Sequence, residues 1–253
     1  MKLTFIGNGN MADAIIAGLV DSYEIEVYGR NERSLLEISS KYKVETKQIG
    51  NTLNITDKNI ILCVKPNSLD DLSPKIIGSA NKLFSVLAGT TIETLNEKVP
   101  NLSCVRAMPN LAAKYSKSMT TLTGSTELKD EAIEIFSAIG TCLWLKSEKE
   151  IDIATGVAGS GPAFLALVAE ALSDGGVNSG LTRSDSNKLV QGLFEGFVPL
   201  LNENNPSSIK DGVMSPGGTT AAGYAALEEN NTRNSFIKAI DSAYKRAIEL
   251  GKK

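Results

Sequence analysis

Near its first residue the chain reads Lys2-Leu-Thr-Phe-Ile-Gly-Asn-Gly-Asn-Met-Ala-Asp-Ala-Ile-Ile16, where a short apolar run leads into a glycine-rich turn and then a helical apolar pattern. The turn has the form Gly7-x-Gly9-x-x-Ala12. A strand, such a turn and a helix in this order are the setting of the dinucleotide-binding fingerprint. Gly7 would make the tight turn, Gly9 would let a pyrophosphate approach the helix, and Ala12 would allow close helix packing. The stretch predicts a Rossmann-like dinucleotide-binding domain.

The rest of the chain predicts an α/β fold with two domains. Up to about residue 145, short β-branched runs alternate with helical patterns, as in a doubly wound parallel sheet. The predicted strands are 2–6, 25–28, 59–64, 83–87, 102–107, 119–123 and 141–145, and the helices between them include 10–20, 32–41, 68–77 and 128–138. Later helical patterns occupy 161–176, 184–202, 219–228 and 232–250. We expect an NAD(P)-binding Rossmann domain over 1–147 and an all-helical domain over 148–253.

The composition favours a cytoplasmic enzyme with neither nucleic-acid nor membrane partners. Lys and Arg total 26 and Asp and Glu total 29, so the net charge of −3 provides no basic surface for nucleic acid. Cys63, Cys104 and Cys142 lie in apolar runs without a CxxC pair, as expected of free thiols in a reducing compartment. No charged-then-apolar leader precedes the first strand, and glycines and a proline interrupt the apolar stretch 153–172. We therefore expect neither a signal peptide nor a membrane span.

The chain contains no histidine. This removes both the commonest general acid or base and the commonest metal ligand. We expect no metal site, and any proton transfer must use a hydroxyl, a lysine, a carboxylate, water or the substrate itself. A histidine-dependent hydroxyacid dehydrogenase is excluded.

The ends of the predicted strands carry candidate cofactor contacts. After strand 25–28 the chain continues Gly29-Arg30-Asn31-Glu32-Arg33, where NAD-selective domains usually place an acidic residue near the ribose. Arg30 and Asn31 favour a 2′-phosphate and hence NADPH, with Arg33 as a second candidate cation, although Glu32 leaves NADH possible. Ligands of parallel sheets lie beyond the carboxyl ends of the strands, where Lys65 follows strand 59–64. Lys65 fits a phosphate or ribose contact, or equally a solvated surface lysine.

A loop near the other end of the chain has the features of an anion- and amine-binding site. It reads Val213-Met-Ser-Pro-Gly-Gly-Thr-Thr-Ala-Ala-Gly-Tyr224. Gly217 and Gly218 can turn their N–H groups toward a ligand, and the positive end of the following helix favours a carboxylate. Thr219 and Thr220 could cap that helix. The alternative interpretation is an ordinary loop with a capping threonine.

One helix of the second domain suggests a partner subunit. The segment 164–172 is apolar nearly all round, with small residues interleaved, so it must be covered on every side. A domain of about one hundred residues cannot easily cover such a helix with its own few helices. We expect a second copy of the chain to do so, with burial inside the monomer as the alternative.

Seven motifs, spread over essentially the whole chain, resemble the pyrroline-5-carboxylate reductase family. They are Ile6-Gly-Asn-Gly-Asn-Met-Ala-Asp-Ala-Ile15, Val64-Lys-Pro66, Ala88-Gly-Thr-Thr-Ile92, Arg106-Ala-Met-Pro-Asn110, Gly159-Ser-Gly-Pro-Ala-Phe164, Glu170-Ala-Leu-Ser-Asp-Gly-Gly-Val177 and Ser215-Pro-Gly-Gly-Thr-Thr220. The last, followed by Ala226-Leu-Glu228, is highly specific. The resemblance implies hydride transfer from NAD(P)H to the C=N carbon of 1-pyrroline-5-carboxylate, giving L-proline in the last step of proline biosynthesis. It also implies a homo-oligomer whose C-terminal helices interlock between two subunits.

The resemblance assigns roles to individual residues. Together, the fingerprint, the strand ends and the resemblance give as cofactor-binding residues Ile6, Gly7, Asn8, Gly9, Asn10, Met11, Arg30, Asn31, Asn51, Cys63, Val64, Lys65, Pro66, Ala88 and Gly89. The substrate carboxylate would bind the loop residues Ser215, Gly217, Gly218 and Thr219. The hydroxyl of Thr220 would meet the imine nitrogen as the catalytic contact. Glu203 aligns with a carboxylate considered part of the substrate pocket, although its polar surroundings look like a surface loop.

The chain departs from the family pattern at two places. Residues 111–117 replace the usual Thr-Pro-Ala and the glycine-rich acidic stretch, near the cofactor and a subunit contact, and Phe164 replaces a frequent tyrosine. The departure at 111–117 leaves the local geometry and the oligomeric state beyond a dimer open.

Two other functions are alternatives to the reductase. One is a related NADP-dependent reductase of another small imine or hydroxy acid, for which Lys188 would be the candidate catalytic lysine. The other is a non-catalytic nucleotide-binding protein.

Overall fold

The computed structural model describes residues 1–251. Its strands are β1 (Lys2–Ile6), β2 (Glu24–Gly29), β3 (Glu45–Gln48), β4 (Leu53–Asn54), β5 (Asn59–Leu62), β6 (Ile76–Ile77), β7 (Ala80–Ser85), β8 (Asn101–Met108), β9 (Ser118–Gly124) and β10 (Gly140–Trp144). Its α-helices are α1 (Asn10–Leu19), α2 (Glu32–Tyr42), α3 (Leu69–Leu72), α4 (Ile92–Lys98), α5 (Lys129–Ser137), α6 (Glu148–Ala154), α7 (Gly161–Asn178), α8 (Arg183–Glu203), α9 (Pro206–Val213), α10 (Thr219–Glu229) and α11 (Thr232–Gly251).

Eight strands form one sheet in the order β10-β9-β8-β7-β5-β1-β2-β3. The six strands from β8 to β3 are parallel, as expected for a doubly wound sheet. The last two strands differ from the prediction, because β9 runs antiparallel to β8 and β10 is parallel to β9. Only a short connection, between Met108 and Ser118, joins β8 to β9. A parallel crossover needs a dozen or more residues, so this connection reverses the chain direction.

The sheet has an apolar core on each face, because its strands send alternate side chains to opposite sides. Phe5 and Ile61 pack with the buried residues of α1, α2 and α5 on one face. Ile6 and Ile60 pack on the other face, with the buried leucines of α3 and α4. The carboxyl ends of β1, β2 and β5 are therefore held at a common edge of the sheet, where ligands of such folds bind.

Most elements agree with the predicted ones to within a few residues, but the predicted helix 68–77 is wrong. The chain there forms a 3-10 turn at Pro66–Ser68, the single α-helical turn α3, and a second 3-10 turn at Ser73–Lys75, followed by β6. Pro74 lies in this second turn and lacks the N–H that a continuing α-helix requires. The predicted strand 59–64 ends at Leu62, and β3, β4, β6, α4, α6 and α9 were not predicted.

By its contacts the chain separates into two compact units. The first contains Met1–Ser160 together with the chain from Asp241 onward, and the second is Gly161–Ile240. The predicted domains, 1–147 and 148–253, place the boundary elsewhere and stay a prediction.

The second unit has almost no interior of its own. Among its described residues, the buried ones are Ser173 and Ser186, which join α7 to α8. The Ser186 hydroxyl donates to the Ser173 carbonyl over 2.7 Å, and the Ser173 hydroxyl donates to Asn187 over 2.6 Å. Many large apolar side chains of this unit are instead exposed: Leu165, Leu167, Leu172, Leu181, Leu189, Leu193, Phe197, Val198, Leu200, Leu201, Val213, Leu227, Phe236 and Ile237.

One helical run of the described chain passes a simple test for a membrane span. Glu148–Asn178 is 31 residues long and has a mean hydropathy of 1.5 in its most apolar window. The test uses length and composition alone, and a helix that packs against another protein chain passes it equally. The expectation that the chain has no membrane partner therefore stays a prediction.

Candidate functional site

The turn between β1 and α1 has the geometry that the glycine pattern predicted. Gly7 has φ +117°, and its N–H donates to the Tyr28 carbonyl at the end of β2 over 2.8 Å. A Cβ at Gly7 would lie 2.6 Å from the carbonyl group of Cys63, so only glycine fits between β1 and β5. A Cβ at Gly9 would have no heavy atom within 4 Å, which leaves open space in front of this residue.

Gly9 is the N-cap of α1, and no side chain caps that helix. The first backbone N–H groups of a helix have no partner within it, and the aligned peptide dipoles make this end positive. The open space at Gly9 and the uncapped start of α1 together form a cradle for an anion of the size of a phosphate group.

This cradle lies in a cleft of about 670 Å³ at the carboxyl ends of β1, β2 and β5. Eight of the predicted cofactor residues line it: Gly7, Asn8, Gly9, Arg30, Asn31, Cys63, Val64 and Lys65. The sequence prediction missed seven further lining residues: Gly29, Ser34, Ile49, Ser68, Asp71, Leu72 and Lys75. Four of these seven belong to the segment that was predicted as a continuous helix.

The β2 end of the cleft is organised by asparagine side chains. Asn8 donates to the Asn31 carbonyl over 2.9 Å, which ties the glycine-rich turn to the end of β2. The Asn31 side chain accepts from the Ser34 N–H over 3.0 Å and caps α2. These bonds fix the backbone at Asn31, directly after Arg30, whose side chain is 64 % exposed at the cleft.

The remaining predicted cofactor residues do not line the cleft. Ile6 is fully buried in the core, and Asn10 and Met11 begin α1. Asn51 is exposed between β3 and β4, and Pro66 begins a 3-10 turn. Their roles toward a cofactor stay predictions.

Ala88 and Gly89 lie in the loop that joins β7 to α4, outside the residues that line the cleft. Gly89 has φ +66°, and a Cβ there would lie 2.7 Å from the Cβ of Leu250 near the end of α11. The local structure thus gives Gly89 a packing role, and its predicted cofactor role stays untested. Arg33 is 89 % exposed on α2, where it pairs with Glu37 over 3.1 Å rather than lining the cleft.

A buried ion cluster lies close to this loop. Arg106, on β8, is 3 % exposed and donates to Glu148 over 2.7 Å and to Asp152 over 3.0 Å, both on α6. The Glu148 carboxylate also accepts from the N–H of Ile92 at the start of α4, over 2.9 Å. Arg106 thereby connects β8, α6 and the end of the β7–α4 loop. Its Nε has no hydrogen-bond partner.

The thiols of Cys63 and Cys104 are unreactive at neutral pH. Burial raises the pKa of the Cys63 thiol far above its usual value. Burial, with a smaller contribution from the negative charge of Glu148, raises the pKa of Cys104 to about 12. Both thiols are therefore protonated at neutral pH and are poor nucleophiles, so Cys63 contributes to the cleft by its shape.

In the second unit, the loop that begins at Ser215 has a local geometry suited to an anion. Gly217 has φ +70°, and the Gly218 N–H donates to the Ser215 carbonyl over 3.0 Å, which closes a tight turn. Gly218 is the N-cap of α10 and no side chain caps that helix. Thr219 and Thr220 are the first residues of the helix, so the prediction that they cap it is wrong. The uncapped N–H groups are left available to a ligand.

The other two candidates of the second unit lie on α8. Glu203 is the last residue of this helix and is exposed. Lys188, the lysine of the alternative hydroxy-acid function, is also exposed.

Comparison with known proteins identifies the family. Residues 148–250 match the family described as pyrroline-5-carboxylate reductase dimerisation, and residues 2–89 match the one described as NADP oxidoreductase, coenzyme F420-dependent. A pyrroline-5-carboxylate reductase of a Synechocystis species is 36 % identical over 266 residues, an alignment that covers 100 % of this chain and 99 % of the relative. The chain belongs to the pyrroline-5-carboxylate reductase family. Its members are NAD(P)-dependent oxidoreductases, so the resemblance and the enzyme class predicted from the motifs are confirmed.

Further relatives of the same family agree along the whole chain. The pyrroline-5-carboxylate reductase of Helicobacter pylori strain J99 is 32 % identical, and the alignment covers 96 % of this chain and 98 % of the relative. Among solved structures, the pyrroline-5-carboxylate reductase of Coxiella burnetii has a TM-score of 0.85 at 31 % identity, covering 99 % of this chain and 98 % of that chain. The Plasmodium falciparum enzyme, solved with NADP bound, has a TM-score of 0.80 at 28 % identity, covering 99 % of this chain and 100 % of that one. The predicted fold class, a Rossmann-like domain followed by helices, is confirmed.

Proposed function

We propose that this pyrroline-5-carboxylate reductase family member reduces 1-pyrroline-5-carboxylate to L-proline with NADPH, as the last step of proline biosynthesis in the cytoplasm. The observation that carries the proposal is the open cradle at Gly9, which lies in a cleft at the carboxyl ends of three parallel strands. The full-length relatives that bear the reductase name support it. NADH is the weaker alternative cofactor.

The residues at the cleft fit a dinucleotide. The uncapped start of α1, next to Gly9, suits the pyrophosphate. Arg30 and Asn31 stand at the end of β2, where the adenosine ribose of a bound dinucleotide lies, and neither is acidic. A guanidinium at this position suits a 2′-phosphate, which favours NADPH. Val64 and Lys65, at the end of β5, would border the pyrophosphate and the nicotinamide ribose.

The loop of the second unit would hold the substrate. The N–H groups of Gly217 and Thr219 and the hydroxyl of Ser215 would bind the carboxylate at the positive end of α10. Gly218 would contribute by shaping the turn, because its own N–H already donates to the Ser215 carbonyl. The Thr220 hydroxyl would hydrogen-bond the imine nitrogen and orient the C=N bond. Bound NADPH would supply the hydride, which adds to the imine carbon while a proton adds to the nitrogen, so that the secondary amine of L-proline forms. Thr220, a bound water or the already protonated substrate would supply that proton.

This chemistry suits a chain without histidine. A protonated cyclic imine accepts a hydride readily, so the protein mainly has to orient the reactants and bind the carboxylate. Glu203, exposed at the end of α8, is the least supported of the proposed substrate residues.

The proposed active form is a homodimer built through the C-terminal helices. The exposed leucines of α7 and α8 and the match of residues 148–250 to a dimerisation family support it. A second copy of the chain would provide the apolar surface that the helices of Gly161–Ile240 do not provide for one another.

The test is a spectrophotometric assay of the purified protein. Oxidation of NADPH that depends on 1-pyrroline-5-carboxylate and yields L-proline would support the proposal, with NADH measured in parallel. Oxidation of a hydroxy acid with NADP⁺, and none of the expected reaction, would favour the related reductase. Binding of nucleotide without turnover of either substrate would favour a nucleotide-binding protein.

A further inference from the structure

Two side chains reach the Arg30 guanidinium from the opposite wall of the cleft. Ser68 accepts a hydrogen bond from it over 2.8 Å, and an Asp71 carboxylate oxygen lies 3.9 Å from its other terminal nitrogen. Both line the cleft, and both belong to the short turns that follow β5. Arg30 is thereby drawn across the cleft from the end of β2, next to a negative charge.

Asp70, the neighbour of Asp71 on the same turn, has a different environment. Its carboxylate pairs with Lys98 at the end of α4 over 3.1 Å, and it does not line the cleft. The two aspartates are similarly exposed, at 77 % and 78 %. They therefore differ chiefly in whether the charge faces the cleft.

We propose that Asp71 is a specificity-determining residue that weakens the binding of adenine nucleotides with a 2′-phosphate relative to those with a free 2′-hydroxyl. The proposal rests on the proposed function in one respect, namely that Arg30 receives the 2′-phosphate. A phosphate monoester carries a charge between −1 and −2 at neutral pH, so placing it on Arg30 brings it close to the Asp71 carboxylate. A free 2′-hydroxyl carries no charge and meets no such repulsion.

The size of the effect follows from Coulomb's law. Two such groups about 6 Å apart, partly screened by water and salt at an exposed site, repel each other enough to change a binding constant roughly three- to tenfold. The chain thus combines a cation that attracts the 2′-phosphate with a carboxylate that opposes it. Asp71 therefore makes the preference for NADPH over NADH smaller than it would be with Arg30 alone.

The experiment measures equilibrium binding by calorimetry and requires no turnover. The two probes are adenosine 2′,5′-bisphosphate and adenosine 5′-monophosphate, which differ only by the 2′-phosphate. Asp71→Asn should lower the Kd of the bisphosphate about three- to tenfold and change the Kd of the monophosphate less than twofold. Asp71→Lys should lower the bisphosphate Kd further, and both effects should shrink as salt is raised.

Asp70→Asn is the matched control, because it removes the same charge from the same turn without changing a residue of the cleft. It should leave the ratio of the two Kd values unchanged. The inference is overturned if Asp71→Asn leaves the ratio of the two Kd values unchanged, which includes the case in which it lowers both Kd values equally. It is also overturned if Asp70→Asn changes the ratio as much as Asp71→Asn does.

Arg30→Ala separates this inference from the proposed function. If Arg30→Ala weakens only the bisphosphate while Asp71→Asn changes nothing, the role of Asp71 is wrong and the 2′-phosphate site stands. If Arg30→Ala leaves bisphosphate binding unchanged, Arg30 does not receive the 2′-phosphate, and the inference about Asp71 fails as well. If the binding ratio responds to Asp71→Asn but the protein reduces no 1-pyrroline-5-carboxylate, the catalytic proposal fails and the role of Asp71 stands.

Discussion

Replacement of Arg106 by methionine should destabilise the first unit strongly, because this arginine is the centre of the buried ion cluster. Its side chain is 3 % exposed, and it bonds Glu148 over 2.7 Å and Asp152 over 3.0 Å. Removing one partner of a buried ion pair costs about 3–5 kcal/mol, because a charge is left without compensation. The side chains of Glu148 and Asp152 are 34 % and 19 % exposed, so water can partly hydrate the carboxylates that the substitution leaves without a partner.

The expected loss is therefore below the full range, at about 2–3 kcal/mol. Methionine has a similar length and fills most of the space, and the unpartnered Nε of Arg106 disappears with the guanidinium. Glu148 also accepts from the Ile92 N–H, so the start of α4 and the β7–α4 loop should loosen as well. We expect hydrogen exchange to quicken at this loop.

The assay is urea unfolding at fixed protein concentration, with the free energy of unfolding taken from the midpoint and slope. A loss of about 2–3 kcal/mol corresponds to a midpoint lower by roughly 1 M. Lys245→Met is the control, because its pair with Asp241 is exposed on both sides, at 67 % and 53 %, and should matter by less than about 0.5 kcal/mol. A loss below about 1 kcal/mol for Arg106→Met, or one no larger than that of the control, would contradict the reasoning.

Four further outcomes are expected. Arg30→Ala should raise KM for NADPH tenfold or more and leave KM for NADH nearly unchanged, as loss of a charge-assisted bond worth about 1.5–3 kcal/mol; equal effects on both cofactors would remove the 2′-phosphate role. Thr220→Ala should lower kcat and kcat/KM together by roughly 10–1000-fold, with recovery in Thr220→Ser, whereas an unchanged kcat would exclude a catalytic hydroxyl. Burial opposes ionisation of Glu26, but hydrogen bonds from Lys58 and Thr4 outweigh it and lower its pKa. The ionised Glu26 therefore stabilises the folded state fully above about pH 4.5, and this stabilisation is lost as pH falls through the folded-state pKa. Glu26→Gln should make the free energy of unfolding less dependent on pH in the acid range, and an unchanged dependence would contradict this. Light scattering at micromolar concentration should detect no monomer, and a stable active monomer would refute the dimer.

The sequence predicted the cradle of the site well because its cause is local. Gly7 is required by the backbone of the turn, Gly9 leaves open space in front of α1, and Arg30 follows directly from where β2 ends. The opposite wall was missed, although Ser68, Asp71 and Lys75 are spaced three and four residues apart, as on one helical face. Their approach to the cleft depends on where β5 and the turns after it place them, and no local pattern carries that information.

One of the other elements that the sequence prediction missed, the helix α9, does have a signal in the sequence. Asn205 caps α9 through the Ser208 N–H over 3.0 Å, and Pro206 is the first residue of that helix, an arrangement readable in the sequence. The strand β3 had no such signal, because its residues Glu45–Gln48 are polar and form an edge of the sheet. The partners of Arg106 lie more than forty positions further along the chain, so the buried ion cluster depends on tertiary packing alone.

The second unit shows why the sequence could predict a partner subunit before any geometry was known. Fixing a residue in a folded chain costs about 1–2 kcal/mol of conformational entropy, and buried apolar surface is the main term that offsets it. Gly161–Ile240 buries two serines and leaves Leu165 and Leu167 more than half exposed, so its own contacts provide little of that offset. The loop from Ser215 to Thr220 belongs to this same unit. In the proposed dimer, the order of the substrate loop would therefore depend on the association of two chains, and assembly would be a condition of substrate binding.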